Sequence, residues 1–68
     1  MRYTIIHWVG SQAGQTRGTI EAANPHQALM LAGAVPAAAR EWPYVADDVG
    51  GGCLVNEAED VSWEADPL

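Results

Sequence analysis

The stretch Asn24-Pro25-His26-Gln27 constrains this chain more than any other, because it fixes where an extended segment becomes a helix. Asn24 suits the N-cap, Pro25 fits the first helical position with its fixed φ and missing N–H, and Gln27 stands where a capping box is completed. Downstream, Ala28, Leu31, Ala32 and Val35 fall at i, i+3, i+4 and i+7, a small-residue stripe that lets a short helix lie across a sheet. The end of this helix stays open between two stops. Gly33 can end it, or Pro36 can kink it by removing one N–H and crowding the Ala32 carbonyl. Residues 37–41 favour a second helical piece opened by Pro36 as much as a loop, and Trp42-Pro43 closes either.

Residues 2–9 read as a first strand, rich in Tyr, Ile, Thr, Trp and Val. Tyr3, Ile5, His7 and Val9 share one face and Arg2, Thr4, Ile6 and Trp8 the other. Neither face is plainly polar, which suggests a central strand whose second side is covered by the helix or by a partner. The glycine-punctuated residues 10–15 make a loose hairpin, and residues 16–22 return antiparallel with Gly18, Ile20 and Ala22 inward. Tyr44-Val45-Ala46 suits a brief edge segment, followed by a flexible turn over 47–52. Residues 53–56 and 61–64 read as two more strands across the acidic link 57–60; an alternative register runs one strand on through Glu57, with 61–63 as a terminal edge. The fold class is therefore α+β: an antiparallel sheet of three to five strands in β-β-α-β(-β) order, with one helix on a face. No repeat or linker divides residues 1–68, which read as one domain.

So short a chain buries only about 60% of the surface it exposes when unfolded, and its core is correspondingly small. Cys53 is the single cysteine, which excludes an internal disulfide and fits a reducing compartment. A hydrophobic fraction of 49% sets the chain apart from disordered acidic proteins. The apolar run near Met1 is too short and too polar for a signal peptide or a membrane span, so a soluble, cytoplasmic protein is expected.

Charge is segregated. Arg2, Arg17 and Arg40 face only Glu21 in the first forty positions, whereas Glu41, Asp47, Asp48, Glu57, Glu59, Asp60, Glu64 and Asp66 follow with no Lys or Arg, for a net charge of −6. Direct nucleic-acid binding needs a basic footprint and is not expected. The natural complement is a protein with a basic surface; a plainer reading is that the acids keep a Trp-rich protein soluble.

No catalytic motif stands against this. His7 on an apolar strand face reads as a packed imidazole, and His26 in the first helical turn as an exposed one. Cys53 enters an apolar run without a neighbouring cation or helix N-terminus to make a thiolate. Two histidines and one cysteine lack the paired spacing of a zinc site, Asp47-Asp48 lacks the alternating oxygen donors of a calcium loop, and residues 48–52 lack the Lys-Ser/Thr end of a phosphate loop. The expectation is a non-enzyme without metal or cofactor.

What remains is a surface. Tyr3 and Trp63 are first choices for the core, while Trp42 and Tyr44, beside Glu41, Asp47 and Asp48, read as an exposed aromatic anchor rimmed by acids. In the extended reading of the C-terminal region, Glu57 and Glu59 project to one side about 7 Å apart, with Asp60 and Glu64 extending the field. Carboxylates at that spacing imitate a nucleic-acid backbone to a protein that binds one. The partner-binding set is then Glu41, Trp42, Tyr44, Asp47, Asp48, Glu57, Glu59, Asp60 and Glu64. The alternative is a structural or assembly protein that self-associates, for instance as a homodimer, through its aromatics.

A very short acidic chain with its carboxylates gathered from Glu41 to Asp66 resembles the small phage-encoded anti-CRISPR proteins, several of which are acidic decoys for nucleic-acid-binding surfaces. The resemblance implies a steric and electrostatic inhibitor that occupies a Lys/Arg-lined channel of a CRISPR effector complex in the cytoplasm of a host cell and blocks target DNA. Separately, residues 19–29 resemble the strand-to-helix junction of many small β-β-α proteins, which bears on topology alone.

Overall fold

In the computed structural model, which describes residues 1–68, the β-branched and aromatic run at the start becomes β1 (Arg2–Val9) and pairs on both sides. β2 (Gln15–Glu21) returns antiparallel after the expected hairpin, α1 (Pro25–Leu31) crosses the sheet, and a 3₁₀ turn (Ala38–Glu41) follows. β3 (Tyr44–Ala46), β4 (Gly52–Asn56) and β5 (Val61–Pro67) complete the chain. The five strands form one antiparallel sheet in the order β2-β1-β5-β4-β3, so the first and last strands lie side by side near its centre. The α+β class is as expected, but the order is β-β-α-β-β-β: Tyr44–Ala46 pairs fully with β4 and adds a third strand after the helix. Of the two readings for the C-terminal region, two strands across a 57–60 link is the one adopted.

The helix starts as its sequence dictates. Asn24 Oδ1 accepts from the Gln27 N–H at 2.7 Å, and Gln27 Oε1 accepts from the Ala23 N–H at 2.6 Å, so one donor of the first turn and one ahead of it are satisfied. Of the two proposed stops it takes the one at Gly33: Leu31 is the last helical residue, Ala32 caps it in extended conformation at ψ 120, and Gly33 follows. Only seven residues long, α1 buries Ala28 and Leu29, and Ala32 and Val35 pack into the same core from beyond the helix. Leu31, expected in the stripe, is 58% exposed. The buried residues on this side are 28, 29 and 32, one position from the face that includes Leu31. Pro36 opens the 3₁₀ turn by accepting from the Ala39 N–H at 3.1 Å, and Arg40 reaches back to donate to the Ala32 carbonyl at 3.1 Å. That carbonyl lies at the negative end of α1, where a guanidinium is favoured.

The core lies between α1 and one sheet face, where Tyr3, Ile5, Leu54, Trp63 and Ala65 are buried. Ile20 of β2 and Ala22 just after it join the core as expected, but Gly18 does not. The β1–β2 register slips between Thr4 and Ile6, and Gly18 absorbs the bulge at φ +107, so the alternation of β2 breaks there. No helix is long and apolar enough to cross a membrane.

Candidate functional site

The sheet face turned away from α1 carries the surface of interest. On it the ladders set Ile6 opposite Glu64, Glu64 opposite Cys53 and Cys53 opposite Val45. The next row sets Trp8 opposite Ser62 and Ser62 opposite Val55. The second side of β1 is therefore covered by neither helix nor sheet. Trp8 lies across this face with its Nε1 donating to Glu64 Oε1 at 2.8 Å. Behind it, the 10–14 loop comes so close that a Cβ at Gly14 would stand 2.8 Å from the indole and 2.7 Å from Ile6. A glycine there lets backbone lie flat against the ring, so the indole is held between its hydrogen bond and the loop.

Two adjoining concavities open at one end of this face. One, of about 310 Å³, is lined by Trp8, Asp60 and Ser62 among others; the second, of about 360 Å³, by Trp42, Pro43 and Val45. Val55, Asn56 and Glu57 belong to both and join them into one groove.

The structure distributes the expected partner-binding residues over several places. Glu41 is exposed on the 3₁₀ turn and Asp48 on the β3–β4 turn. Trp42 and Tyr44 are half-buried rather than exposed, and they separate. Trp42 packs partly on the core and lines the groove, whereas Tyr44 turns to the helix side, where its ring stacks on His26 at 4.4 Å and its phenol fills the space a Cβ at Gly52 would take. Burial raises the Tyr44 pKa, and Asp47 adds to the shift. Asp47 holds its own turn: its Oδ1 accepts from the N–H groups of Val49 at 3.0 Å and Gly51 at 2.9 Å.

Glu57, Glu59 and Asp60 lie in the tight β4–β5 turn, not on a strand, so the 7 Å spacing expected for Glu57 and Glu59 does not arise. The Glu59 N–H donates to Asn56 Oδ1 at 3.2 Å, and Asp60, at φ 54, accepts at its carbonyl from the Gly10 N–H. Strand spacing belongs instead to Glu64 and Asp66, alternate residues of β5 and about 7 Å apart on the open face. Asp66, Trp8, Val55 and Asn56 were the residues that sequence reasoning did not select. The apolar alternation of β1 and β4 was the signal for Trp8 and Val55; nothing in the chain marks which side of a two-faced sheet stays bare.

Charge segregation persists in space. Glu21 pairs with the amino terminus at 2.6 Å and more loosely with Arg2 at 3.9 Å, and the hydrogen bond from the amino terminus is the main reason its carboxyl titrates below the usual range. The eight acids from Glu41 onward make no ion pair. His7 stacks on Trp63 at 4.1 Å on the helix side, whereas Cys53 is half-buried on the open face, so the two cannot meet. Burial, and then Glu64 and Asp47, push the Cys53 thiol up in pKa. No three His, Cys, Asp or Glu side chains converge as a metal site would require. Comparison with protein-family models, characterised proteins and solved structures finds no match for this chain.

Proposed function

We propose that this chain is a small acidic protein-binding inhibitor that occupies the basic nucleic-acid-binding surface of a partner. The observation that carries the reading is the uncompensated charge: eight carboxylates from Glu41 onward have no cationic partner within the molecule. Seven of them run from the β4–β5 turn, along Glu64 and Asp66 of β5, to Asp47 and Asp48 beyond the other end of β4, and the eighth, Glu41, stands on the 3₁₀ turn. A β5 of seven residues spans about 20 Å, long enough to face several cations of a nucleic-acid channel at once. Such a field speeds association with a basic protein and repels phosphates, and the inhibition needs no reacting group.

The resemblance in size and charge to anti-CRISPR proteins makes a CRISPR effector complex the first partner to test. The experiment is affinity capture from lysates with and without the effector, at low and moderate salt, followed by competition with target DNA. Stoichiometric capture that weakens as salt rises, with loss of DNA binding, is the expected result. Charge reversal at Glu64 and Asp66 should slow association more than it speeds dissociation. Capture that is indifferent to salt and to those reversals would sink the proposal. Self-association through the bare sheet face is the second reading, favoured by exposed Val45 and Trp8 on it, and a concentration-dependent mass would support it.

A further inference from the structure

We infer that the groove between Trp8 and Trp42 receives arginine side chains from an extended basic segment of the partner protein; this rests on the reading above and gives it a point of contact. Each of the two concavities has an indole among its walls, and both share Val55, Asn56 and Glu57. Trp8 is fixed in place by Glu64 on one side and by the backbone at Gly14 on the other, so little ordering remains to be done on binding. An arginine stem can lie along Val55, Val45 and Pro43 while its head meets an indole and a carboxylate. Glu57 lines both concavities and Asp60 the first, so a carboxylate stands beside each. No Lys or Arg occurs after Arg40 to neutralise them.

Charge decides the kind of occupant. A nucleic acid would set phosphates against Glu57 and Asp60, and an apolar segment would bury those carboxylates unpaired. A guanidinium is favoured over an ammonium because its plane stacks on an indole while its edge donates two hydrogen bonds to a carboxylate.

The test uses the full chain and a blocked peptide, Gly-Arg-Gly-Arg-Gly, titrated at low salt while the indole N–H signals of Trp8 and Trp42 are followed by NMR. Both signals and the Val55 amide should move saturably, and the lysine counterpart of the peptide should bind about 3- to 10-fold more weakly. Glu57→Gln, at an exposed turn position that does not threaten the fold, should weaken binding by a similar factor. Glu21→Gln, which removes the same charge on β2, should change it less than about twofold. Equal losses from the two substitutions, equal affinity for the lysine peptide, or shifts at turns 47–51 and 57–60 without movement of either indole would overturn the inference. If the indoles do not respond while the chain still displaces DNA from its partner, the groove assignment fails and the inhibitor reading stands. If the peptide binds the groove but no nucleic-acid-binding partner is captured, the inhibitor reading fails and the groove stands.

Discussion

Leu29 and Leu31 stand two residues apart on the same short helix, yet their exposures are 0% and 58%. Replacing either with alanine changes helix propensity by the same small amount, so comparing Leu29→Ala with Leu31→Ala isolates burial. Leu29 lies in the core with Ile5, Leu54 and Trp63. Its truncation removes the transfer free energy of the side chain and leaves a cavity, a loss of about 3–4 kcal/mol. Leu31 buries less than half of itself, and its loss should be about 1 kcal/mol or less. A single core of this size supplies roughly 3–5 kcal/mol in total, so Leu29→Ala should keep no more than about 2 kcal/mol and unfold at low urea, while Leu31→Ala keeps most of its stability. Urea unfolding followed by far-UV circular dichroism and by tryptophan fluorescence, to which buried Trp63 contributes, measures both. With a slope of about 1 kcal/mol per molar urea, the two midpoints should differ by about 2 M or more. Equal midpoints, or a greater loss in Leu31→Ala, would refute the helix register and with it the placement of α1 on the sheet.

Gly52→Ala should cost about 1–3 kcal/mol, because the new methyl meets the Tyr44 phenol, and part of the loss should return in the double variant with Tyr44→Ala, measured as a double-mutant cycle. Cys53 should alkylate more slowly than a free thiol at neutral pH, with a rate midpoint above the ordinary value of about 8.5; a faster reaction contradicts the burial described. Since the folded state holds that proton more tightly, the contribution of Cys53 to stability is full at neutral pH and declines as pH rises past the unfolded thiol pKa, which urea midpoints across pH 7 to 10 would follow. Raising NaCl from about 20 to about 300 mM should raise Tm by several degrees through screening of the unpaired carboxylates, and a flat or falling Tm would show that their repulsion is immaterial.

Local signals carried much of this fold. The cap at Asn24, the proline at the first helical position, the alternating β1 and the 57–60 link each act within a few residues, and each is realised where the chain suggests. The misreadings concern interactions between distant residues. The helix stripe is shifted because α1 stops at Leu31, where Arg40 and the following turn take over the Ala32 carbonyl. The aromatic pair divides because Tyr44 finds room over Gly52 and a ring at His26, neither visible in its own stretch. The acids were legible as a group. Strand spacing was assigned to Glu57 and Glu59 but belongs to Glu64 and Asp66, since the choice of register decides which carboxylates alternate along a strand. The groove was not legible at all, because its two tryptophans come from β1 and from the residue after the 3₁₀ turn.

Strand order also dictates how the molecule must come together in time. β1 bonds to β5 from Tyr3 opposite Pro67 to Val9 opposite Val61, so the pair near the middle of the sheet joins strands separated in sequence by β2, α1, β3 and β4. Until β5 has left the ribosome, β1 and β2 have only each other, and a lone two-stranded hairpin is marginal in water. Contacts of such long sequence separation are slow to form, because the loop between them must be closed before it is stabilised. Completion of the sheet therefore waits on β5. A nascent chain arrested before Val61 presents Tyr3, Ile5, Ile6 and Trp8 unprotected, as a substrate for chaperones and proteases, and a deletion that removes β5 abolishes the fold instead of shortening the sheet by one strand.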